Sequence, residues 1–78
     1  MITKYVDEAL RRARYEPVDG GYAATVSGLR GVIATGRTLE QCRADLADVV
    51  EEWILVRVAR GLIIPKLGGV TIRVKRAG

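Results

Sequence analysis

Residues 21–53 read GYAATVSGLRGVIATGRTLEQCRADLADVVEEW. From Tyr22 to Val26, Tyr22, Ala24 and Val26 share one face and Ala23 and Thr25 the other, the two-residue period of a half-buried strand. Ser27-Gly28-Leu29-Arg30-Gly31 is a turn. Gly31 to Thr35 is rich in β-branched residues and predicts a further strand, which Gly36 ends. Thr38 is the expected N-cap of a helix, and Gln41, three residues on, can complete a capping box. Leu39, Cys42, Leu46, Val49, Val50 and Trp53 then recur at steps of three and four, the spacing of an amphipathic helix. The stretch therefore predicts a strand–strand–helix unit in one continuous piece.

Upstream, Tyr15 to Val18 is a short extended run. Pro17 cannot donate to a ladder, so this strand belongs at an edge. Asp19-Gly20-Gly21 turns the chain into Tyr22, which makes a hairpin. Before it, Ile2, Tyr5, Val6, Ala9, Leu10 and Ala13 line one stripe of a helix expected at about 3–13, with Thr3 as its cap. Downstream, the long helix is expected to reach about Arg60, where Gly61 stops it. Beyond Trp53 it turns apolar on all sides, through Ile54, Leu55, Val56, Val58 and Ala59, which calls for cover from two directions. A second subunit is the expected cover, with Trp53, Leu55, Val56 and Leu62 at the interface of a homodimer or higher oligomer. The alternative is that Leu62, Ile63 and Ile64 fold back over it. Leu62 to Pro65 is extended, Lys66 to Gly69 connects, and Val70, Ile72 and Val74 alternate with Thr71, Arg73 and Lys75 as a final strand.

The chain has 78 residues, 49% of them apolar, which fits one domain (1–78) with a small aliphatic core. The single cysteine, Cys42, excludes an internal disulfide and fits a reducing compartment. No apolar run is long enough to span a membrane, and charged residues interrupt the N-terminus where a signal peptide would be apolar. A cytoplasmic protein is expected. The net charge of +4 is a mild excess. Arg73, Lys75 and Arg76 at the C-terminus could touch phosphates, so a basic nucleic-acid-binding oligomer is the alternative function.

Catalytic vocabulary is sparse. There is no histidine, hence no usual general base and no imidazole ligand. Gly31 to Thr38, GVIATGRT, resembles a phosphate-binding loop, but Arg37 stands where lysine belongs and Val32 to Thr35 read as strand. Asp45, Asp48 and Glu52 share a helix face, the common arrangement of solvated acids. Cys42 lies on the apolar stripe, as a buried small hydrophobe does. No metal, no cofactor and no catalytic residue are expected.

The ordered set Gly21-Tyr22-x-Ala24, Val26-x-Gly28-Leu29-x-Gly31-Val32-x-Ala34-x-Gly36-x-Thr38-Leu39-Glu40-x-Cys42, then Leu46 and Glu51-Glu52-Trp53, resembles the HicB family of type II antitoxins. The resemblance implies a single α+β domain of partial ribonuclease-H-like fold. Combined with the elements above, the expected order is N-terminal helix, three-stranded antiparallel sheet, long helix and C-terminal strand. It also implies a role, in which the domain binds and masks a HicA-type toxin, a small ribonuclease that cleaves mRNA. The hairpin and the Ser27–Gly31 turn would make the contact, through Tyr22, Leu29, Arg30 and Arg37. The N-terminal helix departs from the family pattern, as does the absence from this sequence of the DNA-binding domain that many members carry. An orphan paralogue without a toxin is the further alternative.

Overall fold

The computed structural model describes residues 2–74. Its elements are α1 (Ile2–Arg12), β1 (Arg14–Val18), β2 (Gly21–Thr25), β3 (Ile33–Gly36) and α2 (Leu39–Ala59). The strands form one antiparallel sheet in the order β1-β2-β3, so the expected α+β order of helix, three-stranded sheet and long helix is what the chain adopts. Pro17 pairs with Tyr22 on an outer strand, where its missing N–H costs the sheet nothing. Gly20 turns the hairpin at φ +79°, a conformation that side chains with a Cβ avoid.

The capping box at α2 forms with a shift of one residue. Thr38 Oγ1 accepts from the Gln41 amide at 3.1 Å, while Gln41 Oε1 accepts from the amide of Arg37, not of Thr38, also at 3.1 Å. At the far end Gly61 takes φ +65°. The Gly61 amide donates to Val58 O and the Leu62 amide to Arg57 O, the paired bonds of a Schellman motif. Thr3, expected as the cap of α1, lies inside that helix. What holds the helix surface instead is Glu8, bonded to Arg11 and Arg12 one turn on.

One core runs the length of α2. Near its start, Cys42 and Leu46 meet Ala24 and Ala34 from the inner sheet face, and the Cys42 thiol points at Ala34 O, 3.8 Å away. Burial, and then the negative charge of Asp45, raise the pKa of that thiol, so it stays protonated and inert. Towards the other end Val50 and Ile54 join Tyr5 and Ala9 of α1 with Ile64 and Leu67. The fully buried Tyr5 spends its hydroxyl on Pro65 O. That bond ties the segment after α2 to α1.

Among the described residues the last expected strand does not form as a strand, and Lys75, expected in it, lies outside them. Leu67 and Val70 exchange two hydrogen bonds across Gly68-Gly69, and then pairing stops. Val70, Ile72 and Val74 keep the alternation, half-buried between exposed Thr71 and Arg73. Gly68 lies close to Glu8 and Arg12 of α1, and Val70, Ile72 and Val74 pack against the core, so the segment finds apolar cover without a ladder partner.

Two outcomes follow. Gly36 carries no positive φ, but a Cβ there would run into the backbone of Gln41 and Cys42. Gly36→Ala therefore forces β3 and α2 apart, and urea unfolding is expected to show a loss of about 1–3 kcal/mol. The hydrogen bonds from Arg11 and then Arg12 pull the Glu8 carboxyl down from 4.5 to about 2. A depressed carboxylate stabilises the fold above its ordinary range and loses that contribution as pH falls through the folded value. The melting-temperature gap between wild type and Glu8→Gln should hold steady above about pH 5 and close between about pH 4.5 and about pH 2.

Candidate partner-binding surface

The sheet buries one face on α2 and leaves the other bare. Cross-strand rows Arg14–Thr25–Ile33 and Glu16–Ala23–Thr35 face outward. Ile33, 59% exposed, is the most exposed large apolar side chain of that face, at the start of edge strand β3, and exposed Val18 lies near the hairpin end. Sequence reasoning passed over Ile33. Its signal was available, because Val32 and Ala34 pointing inward oblige Ile33 and Thr35 to point outward.

The four residues expected to bind a partner do not form one cluster. Tyr22 and Arg37 come together at one end of the sheet, where with Val18, Asp19 and Thr35 they line a shallow groove of about 280 Å³. Exposed Arg30 sits in the turn at the other end, before the first residue of β3. Leu29 is corrected: only 3% exposed, it is core and not an anchor. Its amide donates to Val26 O and its carbonyl accepts from Val32, so two successive tight turns fold its side chain inward over the open end of the core.

Both sheet edges are blunted. β1 carries Pro17, and on β3 the outward Thr35 amide is taken by Asp45 Oδ2 at 3.1 Å. Edges so occupied resist the addition of a foreign strand. The sheet therefore leaves side chains on its face, rather than a strand edge at its rim, open to contact. The phosphate-loop resemblance also dissolves here. Ile33 to Gly36 is strand, and the amides of Arg37 and Gln41 are already bonded within the chain.

Elsewhere, Trp53 is half-buried beneath the Arg57 guanidinium, 5.0 Å from its ring centroid. It is therefore partly spent within its own chain, whereas Leu55, Val56 and Leu62 are exposed. Arg73 is exposed, and Lys75 and Arg76 lie outside the described residues. Among the described residues no three acidic or cysteine side chains are grouped to hold a metal, and no helix is long and apolar enough to cross a membrane.

Fold and surface define a small α+β domain with an open sheet face. A family profile described as UPF0150-like matches residues 4–65, and the chain belongs to that family. TTHA0281 from Thermus thermophilus, known from its crystal structure, is similar throughout: 42% identity over 90% of this chain and 95% of that one, with a TM-score of 0.82. No curated protein matches the chain.

The bond from Thr35 to Asp45 is the contact most open to test. Asp45→Ala should cost about 1–2 kcal/mol in chemical denaturation, since it removes a charged acceptor from a backbone N–H. The Thr35 amide should at the same time lose hydrogen-exchange protection.

Proposed function

We propose that this protein is a non-catalytic binding module of HicB type, which docks on a small HicA-type mRNA-cleaving toxin and masks it. The observation that carries the reading is the outward sheet face, with exposed Ile33 at the start of edge strand β3 and Arg30 and Arg37 before and after that strand. An exposed apolar side chain flanked by arginines is the composition of an interface anchor. The UPF0150-like match supports it, because residues 4–65 contain the whole HicB-resembling stretch from Gly21 to Trp53. Blunted edges also favour a partner that meets the face as a preformed surface.

The contact set is accordingly Ile33, Arg30 and Arg37; Tyr22, on the inner face with Ala24 and half-buried against the core, contributes only the part that lines the groove. The arginines select acidic side chains on the toxin, so the complex forms through local complementarity despite the net charge of +4. The location of such a complex is the cytoplasm, where an mRNA-cleaving enzyme meets its substrate.

The test is titration calorimetry against HicA-type proteins, beginning with the product of any small reading frame adjacent to this one. Binding at micromolar or tighter concentration is expected. Ile33→Asp should weaken it by about 30-fold or more, and Arg30→Glu and Arg37→Glu by about tenfold each, with circular dichroism unchanged. No binding at micromolar concentration, or equal binding by all three variants, would end the reading.

A further inference from the structure

The half of α2 beyond Trp53 is finished on one side only. Its inner side holds buried Ile54, and Arg57 donates from Nε to Ile63 O at 2.8 Å, which pins the chain reversal. Its outer side carries Leu55, Val56 and Val58 in the open, 51% exposed in the case of Leu55. The segment expected to fold back divides. Ile64 turns in and is buried, but Leu62 and Ile63 stay out, Ile63 with 66% of its surface exposed. Five large apolar residues thus crowd one end of a small protein, an exposed patch on the order of a few hundred Å², the size that marks an interaction site. The molecule's shape agrees. Its extents are 47 × 22 × 17 Å and its radius of gyration is 13.0 Å, against about 11.5 Å for a compact chain of this length.

We propose that this face is where two copies of the chain join, α2 against α2 in antiparallel fashion about a twofold axis near Leu55 and Val56. The apolar patch supplies about half of the roughly 800 Å² per partner that a specific interface buries, and its polar margin supplies the rest. A twofold contact matches one surface to itself, and an uncharged centre tolerates that without repulsion. The margin is complementary under the same operation. Glu52 lies about one turn before the axis and Arg60 about one turn after it, so Glu52 of each copy comes beside Arg60 of the other. Arg60 is exposed at the helix C-cap and free to make that pair. The face lies at the opposite end of α2 from the β3 contact, so a dimer leaves the outward sheet face of each copy open. The proposal does not depend on the toxin reading.

Sedimentation velocity at micromolar concentration decides it. The expected mass is twice the 8.5 kDa of the chain. Leu55→Asp places a carboxylate in a desolvated contact and should raise the dissociation constant by about 100-fold or more, leaving monomer. Glu52→Arg and Arg60→Glu should each weaken assembly by about tenfold, and together restore it; this pair carries the test should Leu55→Asp not fold. Ile33→Asp, which removes the proposed toxin anchor, should leave the mass unchanged, so the two proposals fail separately. A larger assembly supports the proposal if Leu55→Asp splits it. A monomer throughout, or an assembly that none of the helix variants disturbs, would overturn it.

Discussion

The structure depends on how closely β3 approaches the first turn of α2. At Gly36 the end of the strand meets the backbone of Gln41 and Cys42 with no room for a side chain. Gly21, next to Tyr22, the partner of Gly36, has no room either: a Cβ there would run into Gly36 O. Two glycines therefore let the hairpin and β3 settle on the start of α2, which places Ala24 and Ala34 over Cys42 and Leu46. The small side chains on both sides are a consequence of that separation, since larger ones would overfill it.

From this contact the rest follows by length. α2 has 21 residues and spans about 31 Å, whereas β3 has four residues and spans about 13 Å. A helix anchored at its start against so short a strand must overhang the sheet. The overhang takes cover on its inner side from Tyr5 and Ala9 of α1 and from Ile64 and Leu67. Nothing within the described residues covers Leu55, Val56 and Val58 on its outer side. The molecule consequently carries two separate open surfaces, a sheet face with mixed chemistry at one end and an apolar helix face at the other. On the two proposals above, the first meets a partner of different chemistry and the second a copy of the chain.

Much of this was legible in the residues. Strand period, turn glycines, the Thr38 cap and the Gly61 stop name every element from α1 to α2, because each is a local signal that tertiary packing reinforces. Two readings required knowledge of the third dimension. Leu29 in a glycine-rich turn has the composition of an exposed anchor, and only the paired turns from Val26 to Val32 send it inward. Val70 to Val74 has the alternation of a strand, yet a strand needs a partner edge. Pro17 and Asp45 make both edges poor ones, while α1 offers apolar cover nearby. The outward sheet face went unread for the opposite reason, since Ile33 in a β-branched run looks like core until its neighbours are assigned to faces.

The central claim is that one domain separates two docking surfaces along a single helix. Amide chemical-shift mapping with labelled protein tests it most directly, as a HicA-type protein that binds it in calorimetry is added. The account predicts shifts at Thr25, Arg30, Ile33, Thr35 and Arg37, with Leu55 to Ile63 unmoved. Shifts concentrated on Leu55 to Ile63, with the sheet face silent, would contradict it.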